Sequence, residues 1–557
     1  MSIGPVLATA TPQETHEVTN QPPPLDGLNL FTSNKVLVEA TEREGGDWVL
    51  ERAARLGERV GGEPVRWGFE ANENPPRLRT HDRYGNRIDE VEFHPAWHQL
   101  MQLAIEEELH CLPWRHPGPG AQVARAALYM TAIQVEAGFA CPVTMTFAAV
   151  PALRAQPELA EYWEPLLTAT SYDPRLIPAA EKASALCGMA MTEKQGGSDV
   201  RANTTSARPL NGGGPGGEYE LVGHKWFCSA PMCDLFLVLA QADEGLSCFA
   251  LPRVLPDGSR NAFHLQRLKD KLGNRSNASS EVEFTGAWAQ MVGPPGRGVP
   301  TIIEMVNHTR LDCVIGTAAG MHRGVAQATH HAAHRSAFGR LLVDQPLMRN
   351  VLADLCVESE AATVLAMRLA RSYDEAPDDE AAQAFKRLAT AVSKYWVCQR
   401  APEHAFEALE CFGGNGYVED SGMPRLYREA PLASIWEGSG NVMSLDVLRA
   451  LARDPVGLEA YFDELEVAAG ADPRLDRFVA AVRDELSDPA ELEARARRVV
   501  ERMALALQGS LLVRHAPPAV ADAFCASRLE RDSGLAYGTL PAGVDFGAII
   551  ERHRPQV

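Results

Sequence analysis

The 557-residue chain has no uninterrupted apolar run long enough for a membrane span, which needs roughly 18 such residues. Its opening, MSIGPVLATATPQETHEVTN, lacks a basic start followed by a long apolar stretch, so no secretory leader is read and a cytoplasmic location is expected. The 11 cysteines are scattered singly, with no CxxC pair. That spacing argues against zinc and a disulfide framework and for reduced thiols. Positive charge is also in short supply. Lys and Arg number 53 against 73 Asp and Glu, a formal net charge of −20, which disfavours binding of nucleic acid or anionic membrane by the whole surface. No internal repeat stands out.

What is present is ordinary for a globular protein: 45% hydrophobic and 23% charged residues. The length exceeds one hydrophobic core and suggests three or four domains. Residues 1 to about 25 are rich in Thr and Pro and read as an extended arm, loose or laid on another subunit. Helical spacing then dominates to about 180, as in HPAWHQLMQLAIEEELHCL and AQVARAALYMTAIQVEAGFA. From 186 to 290, GEYELVGHKWFCSA, LFLVLAQ, SCFALPR and SSEVEFTGAW read as strands separated by Gly-rich turns. Helical spacing returns from about 299 to 452. Beyond Pro455, Asp488, Pro489 and Glu491 resemble a capping-box start, with Leu492, Val499, Met503 and Leu507 as the apolar stripe that follows. The domains are therefore expected at 1–184, 185–292, 293–454 and 455–557.

Three stretches carry chemical content. GMAMTEKQGGSDV, residues 188–200, places Thr192, Gly196, Gly197 and Ser198 where helices give way to strands. Bare backbone and hydroxyls suit an anionic or flat ligand, and a plain tight turn is the alternative. The loop is not GxGxxG and no strand–glycine–helix unit surrounds it, which argues against a Rossmann site. Trp226 in GHKWFCSA is either core or the cover of an aromatic cofactor. Glu437 lies between Ile435 and Trp436 and a Gly-Ser-Gly turn; desolvation there would raise its pKa toward that of a general base, and a first-turn glutamate favoured by a helix dipole is the plainer reading.

The order MTEKQGGSD, KWF, R-x(2)-FG-x(5)-Q, GGNGY and IWEGSGN resembles the acyl-CoA dehydrogenase flavoprotein family, from about residue 186 to 450. The wording LKDKLGNRSNAS and MPRLYRE is similar to its alkylation-response branch, which carries a further C-terminal domain. The resemblance implies an α+β multidomain fold: a helical N-terminal domain, a β-barrel-like middle domain, a C-terminal helical bundle and, after 455, an extra helical domain. It implies FAD, and a homotetramer in which sites are shared between subunits. Cofactor contacts are expected from Met191, Thr192, Gly197, Ser198, Trp226, Phe227 and Ser229. Ile435, Trp436, Gly438, Ser439 and Asn441 are expected to join them around the catalytic Glu437. Arg335, Phe338 and Gln345, with Gly413 and Gly414, match residues that reach the FAD of a neighbouring subunit; Arg335 also reads as a surface ion-pair partner and the glycines as a helix-ending turn.

Glu437 matches the family's base, which removes a weakly acidic thioester α-proton while hydride departs to the flavin, the Glu437 amide serving as donor to the thioester oxygen. Trp436 stands where much of the family has tyrosine, so the acyl pocket is expected to be narrow and turnover of a short branched acyl-CoA weak. Arg310 matches an arginine near the acyl-CoA entrance, or is a helix ion pair. The branch is associated with DNA through its last domain. From 451 to 557 there are 18 acidic residues and 13 arginines, with no lysine. Only Arg495, Arg497, Arg498, Arg502 and Arg514 make a candidate patch for double-stranded DNA, without sequence preference and salt-sensitive. A solvated helix face, with Glu491 and Arg495 as an i,i+4 pair, is the alternative.

Overall fold

The computed structural model describes residues 15–556; residues 1–14 of the expected arm lie outside them. Residues 20–23 lie on their own chain. Asn20 exchanges hydrogen bonds with Ser336, and Pro23 O accepts from His330 Nε2 at 2.9 Å.

Eight α-helices lie between Lys35 and Leu167, starting with Lys35–Thr41, where the Asn34 side chain accepts from Leu37 N. Ala140–Leu153 is apolar all round and buried on nearly every side, the signature of an interior helix. Within this mostly helical segment the structure adds one hairpin. Arg77–His81 and Arg87–Glu92 pair as an antiparallel hairpin. Asp82 accepts from Tyr84 N and Asn86 N, and Gly85 takes φ +88, so local turn chemistry decides this segment.

The middle segment closes into a barrel. Leu235–Ala242 is parallel to Ser206–Pro209 and antiparallel to Gly245–Pro252, while Glu218–Ser229 and Ser279–Val292 complete the ring. Cys187–Ala190 extends it, parallel to Leu235–Ala242 in the register Cys187 to Leu235, and Phe263–Leu268 pairs along Ser279–Val292. Closure leaves few free strand edges.

Gly298–His334 is a 37-residue helix that packs against Pro346–Glu375, Glu380–Glu410 and Ala140–Leu153. It is the spine joining the N-terminal helices to the C-terminal bundle. The join includes a buried ion pair: Arg125 Nη1 and Nη2 meet the two carboxylate oxygens of Asp312 at 2.6 and 2.7 Å, and Thr144 donates to the same group. All 11 cysteines are free and buried. Among the described residues, no helix is long and apolar enough to cross a membrane.

After Pro455, the helix signalled at 488 begins later. Pro473–Ser487 is helical, Asp488 caps only a turn through Ala490 N, Glu491 takes φ +50, and Ala496–His515 follows. Arg495 folds back onto the carbonyls of Asp488 and Ala490 and pairs with no Glu491. Glu491 lies before the helix, so the two side chains do not share a helix face as the pair requires. Val499, Met503 and Leu507 are buried as the stripe predicts, while Leu492 precedes the helix.

Replacing Arg125 with Met strands Asp312 in the interior. We expect a loss of about 3–5 kcal/mol, seen as a lower first transition in thermal unfolding; an unchanged transition would count against this pair as a structural link.

Candidate active site

The GMAMTEKQGGSDV stretch is a loop pinned from below by Glu193. This fully buried carboxylate accepts from Lys225 Nζ at 2.9 Å, Thr204 N at 2.7 Å and Thr205 N at 3.1 Å. Burial alone would raise its pKa, but these donors hold it well below the usual carboxylate range. Above the anchor the loop is tight. A Cβ on Gly197 would come within 2.5 Å of the Thr192 hydroxyl, so only glycine leaves that hydroxyl in place. Thr192 O accepts from Trp226 N at 2.8 Å, which brings two sequence motifs 34 positions apart side by side.

Glu437 sits in the segment before the helix Gly440–Arg453, in a left-handed conformation with φ +57. Cations fasten that segment. Lys394 Nζ donates to Trp436 O at 2.8 Å and also to Gly438 O, and Arg310 Nε donates to Glu437 O at 3.0 Å. Arg310 is itself paired with Asp446 at 2.9 Å, and Arg387 holds the other oxygen of Asp446 at 2.7 Å. The Glu437 carboxylate accepts from Thr309 Oγ1 at 2.7 Å. Burial pushes its pKa above the usual carboxylate range, against the pull of the Thr309 hydrogen bond, Arg310 and Lys394. The Glu437 N–H meets no acceptor among the described residues.

A cavity of about 810 Å³ joins these pieces. Met191, Thr192, Gly197, Ser198, Phe227 and Ser229 line it from the barrel side. Arg310 and the run Ile435, Trp436, Glu437, Gly438 and Ser439 line it from the helical side. Trp226 does not: its ring is half-exposed, with Lys269 Nζ 3.3 Å from the centroid. Asn441 is also turned away, accepting from Arg497 Nε at 2.8 Å.

Arg335, Phe338, Gln345, Gly413 and Gly414 lie outside this chain's cavity. Phe338 is 99% exposed with φ +52, at the tip of the two-stranded turn Ser336–Leu341. Arg335 Nη1 donates to Asn20 O at 2.5 Å, and Gln345 Nε2 to Ala337 O at 3.0 Å. Gly413 and Gly414 are exposed with open space where a Cβ would stand.

Sequence reasoning missed Thr309 and Lys394. The signal for Lys394 was a lone cation in the apolar stretch ATAVSKYWV, where it is 1% exposed. It also missed two groups on the cavity wall: burial lowers Lys271 to about 8, while burial and Glu136 raise Glu429 to about 7.

The C-terminal arginines do not form one open face. Arg495, Arg498 and Arg502 converge on Glu485 at 3.6, 3.1 and 3.0 Å. Arg514 is paired with Glu464 at 2.7 Å, and Arg497 with Asn441. Arg497 and Arg498 remain exposed, the Arg498 side chain at 64%.

A barrel loop of glycine and hydroxyls facing a buried glutamate on a helical bundle defines a class, and known proteins share it. Residues 20–174 match the adaptive response protein AidB N-terminal domain, 188–287 the acyl-CoA dehydrogenase middle domain and 296–452 the acyl-CoA dehydrogenase C-terminal domain. The chain belongs to the acyl-CoA dehydrogenase family.

Within it, the chain is AidB-like: it is 45% identical to AidB of Escherichia coli (strain K12) over 94% of this chain and 96% of that one. It is 31% identical to acyl-CoA dehydrogenase family member 11 of Caenorhabditis elegans, covering 83% of this chain and 79% of the other. The solved structure of Caenorhabditis elegans ACDH-11 in complex with C11-CoA superposes with a TM-score of 0.84 at 27% identity, over 94% of this chain and 95% of that one. The expected fold is present, and the protein is an FAD-dependent oxidoreductase of CH–CH bonds. Its residues fit a flavin: Phe227 and Trp436 offer aromatic walls, Ser198 and Ser229 offer hydroxyls, and the buried Trp436 indole N–H has no acceptor.

Thr309→Val removes the one neutral donor to the Glu437 carboxylate. The carboxyl then binds its proton more tightly, so the acid limb of flavin reduction against pH moves to higher pH. Stopped-flow reduction across pH checks this; an unshifted limb would separate Thr309 from the titration.

Proposed function

We propose that the protein dehydrogenates an acyl-CoA at Cα–Cβ, with Glu437 as the base that takes the α-proton. The observation that carries this reading is the fastened Glu437, whose burial raises its carboxyl above the usual carboxylate range, the direction a general base needs. The FAD, when bound, supplies the two-electron acceptor. Thr309 orients the carboxylate, and the free Glu437 N–H is available to a thioester oxygen as negative charge develops there. Arg310 acts through the loop: its guanidinium is spent on Asp446 and Glu437 O, so we read it as a positioning residue and not an entrance contact. The C11-CoA complex of the worm relative supports acyl-CoA as the substrate class. A homotetramer is consistent with the exposed Phe338 and the surface placement of Gly413 and Gly414, since residues of this kind reach outward from their own chain. Turnover of a short branched acyl-CoA is expected to be weak, and the location cytoplasmic.

Anaerobic titration with isovaleryl-CoA and undecanoyl-CoA tests this. The wild-type flavin should bleach, and Glu437→Gln should keep its FAD but bleach at least about 100-fold more slowly. Equal rates would remove Glu437 as the base.

A role at DNA in the alkylation response draws on the C-terminal arginines, and of these only Arg497 and Arg498 are exposed. Arg498→Gln is expected to leave duplex binding within about twofold, since an exposed contact is worth little. Fluorescence titrations at two salt concentrations measure it, and a loss of tenfold or more would restore the patch.

A further inference from the structure

The cavity continues beyond the base. Its lining follows the helix Gly298–His334 from Thr309 past Gly316 and Gly320 to Arg323 and Gln327. Thr309 to Arg323 spans about 21 Å of helix axis at 1.5 Å per residue. Glycines along that path keep the helix surface low, so the space stays open.

Two guanidinium groups line the far end. Arg323 makes no hydrogen bond or ion pair among the described residues, and burial lowers its pKa to about 10. Arg425 donates Nη2 to Val135 O at 3.0 Å and lies over the Phe69 ring at 4.2 Å, leaving Nη1 buried without an acceptor.

Three of the carboxylates nearby are hydrogen-bonded elsewhere, while Glu73 and Asp26 are exposed and act on the pair only through their field. Glu136 accepts from Gly138 N, Phe139 N and Ser276 Oγ. Glu429 accepts from Asn274 N and Nδ2, and Glu419 is held by Arg428. Glu136 and Glu429 reach Arg425 only through their field, as the exposed Asp26 reaches Arg323. A buried guanidinium nitrogen without an acceptor, as at Arg425 Nη1, costs free energy that a ligand anion would recover, and the part-exposed Arg323 has its donors free to join it.

We propose that Arg323 and Arg425 form an anion subsite at the far end of the acyl-CoA cavity. It holds a carboxylate or phosphate that the ligand carries at the end remote from its reacting carbons. This rests on the acyl-CoA reading above. Two sources satisfy the chemistry: an ω-carboxylate on the acyl chain, or the diphosphate of the coenzyme.

Isothermal titration calorimetry of the FAD-loaded protein separates them. Dodecanedioyl-CoA and hexadecanedioyl-CoA are compared with dodecanoyl-CoA, hexadecanoyl-CoA and free CoA, on wild type, Arg323→Gln and Arg323→Lys. We expect Arg323→Gln to weaken the ω-carboxyl ligands by about tenfold and Arg323→Lys to restore much of the loss. Loss confined to the ω-carboxyl ligands supports a carboxylate; equal loss for every ligand, free CoA included, supports the diphosphate. Unchanged affinities for all ligands overturn the subsite while leaving the acyl-CoA reading intact. A wild type that binds none of them overturns both.

Discussion

The site depends on how one non-glycine residue is kept in a left-handed conformation. Glu437 at φ +57 stores on the order of 1–3 kcal/mol of strain, and its neighbours must over-determine it. Lys394 and Arg310 do so by taking the carbonyls of Trp436, Glu437 and Gly438 in succession. Asp446 then locks Arg310 to Arg387, which ties the loop to the helix Glu380–Glu410. The same cations moderate the carboxylate they position, so geometry and proton affinity are set together.

The opposite wall uses the same principle with the signs exchanged. Glu193 is a buried anion that organises a loop, where Lys394 is a buried cation that does so. A buried pair of this kind gains little net stability over an apolar substitute, because desolvation offsets most of the attraction. What it fixes is position: Thr192, Gly197 and Ser198 line the cavity from a loop that Lys225 holds through Glu193. The cavity is thus framed by two rigid loops from different domains, joined by the spine helix Gly298–His334.

The last domain is tied to this frame. Ala496–His515 packs on Pro346–Glu375, Glu380–Glu410 and Gly440–Arg453, and Arg497 reaches Asn441, four residues beyond the base. Adding a side chain at Gly440 would bring a Cβ within 2.8 Å of that guanidinium. Arginines that look like a surface patch in one dimension therefore serve largely as internal ties, with Glu485 and Glu464 as their counter-charges.

The sequence by itself determined the alternation of helical, strand and helical segments and the glycine-hydroxyl loop, because period and turn chemistry are local properties; Glu437 stood out only through the resemblance of IWEGSGN and the motifs before it to a known family. The hairpin at 77–92 was legible in its Asp82–Gly85 turn but was outvoted by its helical surroundings. Only the tertiary structure decided that Trp226 stands outside the cavity, that Asn441 faces Arg497, and that Lys394 and Thr309 serve Glu437 from helices 43 and 128 positions away. It also decided which arginines are paired and which, Arg323 among them, are left facing a cavity. The physical reason is that burial and charge compensation are set by whichever residues the fold brings within a few ångströms, and no spacing along one chain encodes that distance directly.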